Sequence, residues 1–216
     1  MKTFKPFYVA VFNIMMAIAS VLQILLYPVR VLGREHMPRG GGFVLAPNHW
    51  RAMDPVMIVL SRRFAPKMLI MGKDSLFGRN AFLDFFWDAV GAFPIRRGVG
   101  DKAVIDKASA EIAGGRGVLI FPEGTRSGDG EKLSTLKSGA FVVALQAGVP
   151  VIPCRIWYKA GKLCPFCRTT IMYGPPVTTA QLGLPESGYT PATLREAKRR
   201  YRKILEDLYL QHEDKL

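Results

Sequence analysis

Five short apolar runs, FVLA at 43–46, MLIM at 68–71, AVGAF at 89–93, VLIF at 118–121 and VPVIP at 149–153, recur along the chain. Longer stretches of helical or mixed patterning separate them, and helices are expected at Pro55–Arg63, Lys102–Ala113 and Lys137–Ala147. Alternation of this kind predicts an α/β domain with a mostly parallel central sheet flanked by helices. TTIMYG, from Thr169, reads as a further strand, and the chain contains no internal repeat or low-complexity segment. Its 216 residues suit one domain with an appendage better than two full domains.

In an open α/β sheet ligands bind beyond the carboxyl ends of the strands, so the residues just after each run carry the interest. FVLA is followed by Pro47, Asn48 and His49; MLIM by Gly72, Lys73 and Asp74. AVGAF leads to Arg96 and Arg97, and VLIF to Pro122, Glu123, Gly124, Thr125, Arg126 and Ser127. Parallel strands would gather these on one rim, where arginine forks, a lysine and a glycine-containing loop suit a phosphate.

His49 stands five places before Asp54 in NHWRAMD. On one regular helix that separation turns the side chains ~140° apart, so they would not meet. Pro55 disfavours helical dihedrals at Asp54 and suits a first helical position, which places Asp54 at an N-cap and leaves Trp50–Met53 as a loop. Such a loop can fold the carboxylate against the imidazole, fixing its tautomer and stabilising the imidazolium formed when His49 takes a proton. Helix capping is the plainer duty of the same aspartate.

A formal net charge of +13 calls for an anionic partner. No zinc-finger spacing, RNP-like strand or basic-region heptad supports nucleic acid. Phe7–Val29 contains no charged residue and is long enough for a ~30 Å hydrocarbon core, although Asn13, Ser20 and Gln23 interrupt it. Its length and the apolar sequence beyond Ala17–Ala19 argue against a cleaved signal peptide. We expect a membrane-associated helical segment over 1–34, spanning the bilayer or lying in one leaflet, and the main domain over 35–216 on the cytosolic side. From Thr190 a C-terminal amphipathic helix is expected, with Leu194, Ala197, Tyr201, Ile204, Leu205 and Leu208 on one face and a basic opposite face, solvated or touching anionic lipid.

Cys154, Cys164 and Cys167 are too few for a disulfide framework, and a reducing compartment is the simpler setting. A closed zinc site at the CPFC stretch would need two more ligands, for which only Cys154 and three scattered histidines are candidates. The stretch runs into a strand and not a helix N-terminus, so ordinary loop and strand-edge cysteines are the better reading.

With these residues assembled, the region from about Arg34 to Tyr173 resembles the glycerolipid acyltransferase family, within it the bacterial 1-acyl-sn-glycerol-3-phosphate acyltransferases. Asn48, His49 and Asp54 match the family's Asn-His-x4-Asp motif, and GAFPIRRG resembles its second block, with Arg96 or Arg97 as the arginine. FPEGTRS at Phe121–Ser127 matches the third block in full, and VPVIPC at Val149–Cys154 resembles the fourth. The resemblance implies transfer of a fatty acyl group from acyl-CoA or acyl-carrier protein to the sn-2 hydroxyl of lysophosphatidic acid, giving phosphatidic acid. His49 would be the general base and Asp54 its orienting group, with direct attack and no acyl-enzyme. Lys73, Arg96, Arg97, Glu123, Gly124, Thr125, Arg126 and Ser127 would hold the acceptor's phosphate and glycerol. No metal or cofactor is implied beyond the thioester co-substrate. The implied location is the cytoplasmic membrane.

The chemistry agrees: a histidine titrating near ~6.5 in water is suited to taking a hydroxyl's proton, and holding the phosphate fixes that hydroxyl beside it. Two other readings remain open: an acyltransferase for glycerol 3-phosphate or another lyso-lipid, and a non-catalytic basic membrane-binding protein. The Phe-rich stretch 76–93 either packs in the core, lines the acyl-chain pocket or dips into the membrane interface.

Overall fold

Strands buried on both faces set the architecture. In the computed structural model, which describes residues 6–61, 68–73, 77–78, 80–81, 84–85, 87, 91–95, 102–128 and 132–215, successive strand residues face opposite layers of one sheet. The elements in chain order are α1 (Pro6–Leu26), β1 (Val29–Leu32), β2 (Phe43–Pro47), α2 (Asp54–Ser61), β3 (Leu69–Lys73), β4 (Ala92–Ile95), α3 (Lys102–Ala113), β5 (Gly117–Leu119), α4 (Gly139–Ala147), β6 (Val151–Tyr158), β7 (Thr169–Tyr173) and α5 (Pro191–Leu210). The strand order is β1-β7-β6-β2-β5-β3-β4. Every neighbouring pair is parallel except the β6–β7 hairpin.

Val44, Ala46, Val118 and Ile120 face one layer, formed by Ala108 and Ile112 of α3, Phe141 and Ala144 of α4, and Ala197, Tyr201 and Leu205 of α5. Phe43, Leu45 and Leu119, one residue out of phase, face Trp50 with Met57 and Ile58 of α2. The result is the three-layer α/β arrangement expected from the alternating runs. Helix α5 starts where Thr193 N–H donates to Thr190 Oγ1 at 3.2 Å and Pro191 takes the first turn. Ala197, Tyr201, Leu205 and Leu208, spaced for one helical face, are buried.

Several expectations change. β1 lies within the stretch assigned to the N-terminal segment, yet it pairs with β7 from Val29↔Thr169 to Leu32↔Met172, so the sheet begins before Arg34. A run of four residues following an apolar helix offers no alternation of its own to read. Helix α2 begins at Asp54 rather than after it: Met57 N–H donates to Met53 C=O at 2.9 Å, so the aspartate occupies the first turn instead of the cap. Cys164 and Cys167, read as ordinary thiols, form a disulfide across the β6–β7 turn, with their Cα atoms 5.4 Å apart. Cys154, in β6, is buried and lies outside the disulfide. Within the Phe-rich stretch Phe85 and Phe93 are buried, and much of the remainder lies outside the described residues.

No helix among the described residues is long and apolar enough to cross a membrane. Helix α1 nevertheless presents Ile14, Ile18, Val21, Leu22, Ile24 and Leu25 as exposed side chains.

Candidate active site

β2 and β5 are adjacent and parallel, with Val44 opposite Val118 and Leu45 opposite Leu119, so the segments following them leave from the same end. Those segments are NHWRAMD and FPEGTRS. Pro47 cannot donate to a ladder, and Asn48 takes over: its amide donates to Ile156 C=O at 3.2 Å and accepts from Ile156 N–H at 2.7 Å. β2 is thereby locked to β6 at the point where the catalytic candidates begin.

The next peptide, that of His49, is held from both sides by the β5 loop. His49 N–H donates to Glu123 Oε1 at 2.7 Å, and His49 C=O accepts from Ser127 N–H at 2.7 Å and from Ser127 Oγ at 3.2 Å. Glu123 Oε2 accepts from Ser134 N–H at 2.8 Å, and the residue is 1% exposed. Glu123 and Ser127 were expected to hold the substrate; in this geometry they position His49. The imidazole also stacks on Phe121, with ring centroids 4.1 Å apart.

Asp54 is fully buried and heavily hydrogen-bonded, as a buried carboxylate must be. Its Oδ2 accepts from Trp50 N–H at 2.6 Å and Arg51 N–H at 2.8 Å, and lies 2.9 Å from His49 Nδ1. The Trp50–Met53 turn thus does what the five-residue spacing required: it folds the first residue of α2 back under the imidazole. A carboxylate only accepts, so Nδ1 carries the proton and Nε2 the lone pair.

Tyr158, at the end of β6, completes the group by donating its hydroxyl to Asp54 Oδ1 at 2.7 Å. Burial, then the Asp54 charge and the hydrogen bond to it, push the phenol far above the ordinary tyrosine range, so it remains a donor. Sequence reasoning missed it, because nothing local to Tyr158 signals a partner 104 residues away.

Beyond the histidine, Thr125 and Arg126 are exposed at the rim. Gly124 has φ 69°, and a Cβ there would lie 2.9 Å from Lys137 Cδ and 3.1 Å from its Nζ, so the glycine admits a lysine beside the loop. Lys137, a second residue the motifs did not mark, is tied in by its N–H to Pro122 C=O. Lys73 ends β3 opposite Ile95 of β4, which places that rim position one strand beyond β5. Arg96 and Arg97 lie outside the described residues, as does the side chain of Lys73. Among the described residues no group of three or more His, Cys, Asp or Glu is arranged to hold a metal ion. What the arrangement offers chemically is an oriented imidazole, bearing a lone pair, beside a cationic loop.

A family model described as Acyltransferase matches residues 28–157. The chain is 32% identical over 129 residues to a 1-acyl-sn-glycerol-3-phosphate acyltransferase of Borreliella burgdorferi, covering 59% of this chain and 50% of that one. A Bacillus subtilis protein of the same name is 28% identical over 188 residues, covering 83% and 88%. Thus the chain spans about half the length of the first relative and most of the second. The crystal structure of the 1-acyl-sn-glycerophosphate (LPA) acyltransferase from Thermotoga maritima superposes with a TM-score of 0.68 over 99% of this chain and 84% of that one, at 21% identity.

Proposed function

The chain belongs to the acyltransferase family, and from that premise we propose that it moves a fatty acyl group from an acyl thioester to the sn-2 hydroxyl of lysophosphatidic acid, giving phosphatidic acid. The observation that carries this reading is the His49–Asp54 pair, 2.9 Å apart, placed by two adjacent parallel strands beside the exposed Arg126. His49 Nε2 takes the proton of the acceptor hydroxyl as its oxygen attacks the thioester carbonyl. The thiolate then leaves and regains a proton from the imidazolium, whose charge Asp54 balances. Thr125, Arg126 and Lys137, together with Lys73 and Arg96 or Arg97, bind the acceptor's phosphate, while Glu123 and Ser127 act through the His49 backbone. The acyl thioester, on coenzyme A or acyl-carrier protein, is a co-substrate, and the chemistry calls for no further cofactor.

Both acceptor and product are membrane lipids. We therefore place the protein at the cytoplasmic membrane with the rim toward the bilayer and the exposed apolar side chains of α1 in the interface.

The test is an assay of the purified chain with a panel of acceptors: lysophosphatidic acid, glycerol 3-phosphate and neutral lyso-lipids, each with acyl-CoA and with acyl-carrier protein. Lysophosphatidic acid is expected to be preferred, and His49→Ala to lower kcat about 10²–10⁴-fold while folding persists. Better turnover of a neutral lyso-lipid would overturn the acceptor. Retained turnover in His49→Ala would overturn the base.

A further inference from the structure

After β6 the chain turns through residues 159–168 before returning as β7, and nothing in the catalytic geometry requires what it carries there. Lys159, Lys162 and Arg168 are exposed, no acidic residue separates them, and the Cys164–Cys167 disulfide closes the tip. Between the cysteines, Phe166 adopts φ 62°, the sole positive φ outside glycine among the described residues, and it is 74% exposed. A left-handed phenylalanine costs of order 1 kcal/mol, and a ring this exposed recovers little of that by burial.

The tip is tied to two other places. Phe166 N–H donates to Leu26 C=O and Thr169 N–H to Pro28 C=O, which sets it against the end of α1, where Val21, Leu22, Ile24 and Leu25 are exposed. The Arg51 guanidinium donates to Gly161 C=O, and Arg51 N–H donates to Asp54 at 2.8 Å. One element therefore joins the apolar helix, a basic turn and the segment that orients His49.

We propose that this hairpin tip is a membrane-seating finger: Phe166 and Pro165 enter the boundary between headgroups and acyl chains, and Lys159, Lys162 and Arg168 meet anionic headgroups. An aromatic residue flanked by cations fits that boundary better than it fits bulk water. The link through Arg51 then fixes the distance between the bilayer surface and His49. The finger rests on the reading that the protein works at a bilayer, and it adds a second, rigid contact to the one made by α1.

The experiment places tryptophan at Ile18 of α1 or at Phe166 of the tip in the full chain, by Ile18→Trp and Phe166→Trp, and subtracts the native tryptophan signal measured on the parent. Each is mixed with vesicles of phosphatidylcholine and phosphatidylglycerol carrying brominated acyl chains. Quenching at both positions is the expected result. Quenching at position 18 without quenching at 166 overturns the finger and leaves the bilayer reading intact; quenching at neither overturns both. Replacing Lys159, Lys162 and Arg168 with glutamine should weaken partitioning onto phosphatidylglycerol-containing vesicles roughly hundredfold and leave binding to pure phosphatidylcholine unchanged. Equal binding of this variant and the parent to the anionic vesicles would overturn the headgroup contact.

Discussion

Tyr158→Phe separates orientation from chemistry at the single-residue scale, because the Tyr158 hydroxyl bonds the Asp54 carboxylate. Removing the hydroxyl leaves a buried carboxylate oxygen without that donor, which costs about 1–3 kcal/mol of stability. We expect kcat to fall about tenfold with KM for the acceptor nearly unchanged, since the rim residues proposed to bind the phosphate are untouched. Steady-state kinetics and urea unfolding on the same preparation check both parts. Glu123→Gln makes the complementary point: one amide oxygen cannot replace two carboxylate oxygens that accept from His49 N–H and Ser134 N–H. It should lower kcat and stability together, whereas loss of acceptor affinity alone would return Glu123 to the substrate. The His49–Asp54 pairing was legible in the sequence because a turn of a few residues decides it, although Asp54 falls in the first turn of α2 and not at the cap that Pro55 suggested. Tyr158 and Lys137 were not, since each joins the site from a strand or loop brought there by the whole sheet. Glu123 was visible as a site residue, but its partners are backbone groups that no motif displays.

Tyr201 gives α5 a particular place among the elements. It is fully buried, its hydroxyl donates to Ala46 C=O at 2.7 Å beneath β2, and burial raises its pKa well above the ordinary tyrosine value. Tyr158 is raised in the same direction from the end of β6. For such a phenol the folded state holds its proton where the unfolded chain begins to release it near ~10, so stability is intact below that pH and declines above it. Alkaline unfolding followed by circular dichroism should therefore set in above about pH 10, with a shallower pH slope in Tyr201→Phe. On the exposed side of α5, hydrogen bonds from Arg199 and Arg200 hold the Glu196 carboxyl down at about 2. Its stabilisation is present above the unfolded value of ~4.3 and fades as pH falls toward about 2, so Glu196→Gln should change the melting temperature slightly at neutral pH and not at pH ~2. This helix was readable from Thr190 onward because its cap, its proline and its apolar spacing all agree.

Across the whole molecule, the parallel core could be read from apolar runs and connection lengths, while its edge could not. β1 takes the flank of the sheet only because β7, a strand beginning more than a hundred residues later, leaves an open edge for it. The seam is tight where the chain turns away: Gly33 has φ 67°, a Cβ there would meet Tyr173 C=O at 2.0 Å, and His36 Nδ1 lies 2.9 Å from the same oxygen. Two truncations that look similar in sequence should therefore behave differently. Removing residues 1–26 takes away α1 and the acceptor for Phe166 N–H but leaves every sheet pairing in place. Removing 1–33 also strips β1 and exposes the backbone edge of β7, a template for pairing with other chains. The shorter deletion should give a folded domain with weakened vesicle binding. The longer one should lower the urea midpoint and aggregate, which size-exclusion chromatography in vesicle-free buffer will show. Equal behaviour of the two would mean that β1 contributes nothing to the sheet it borders.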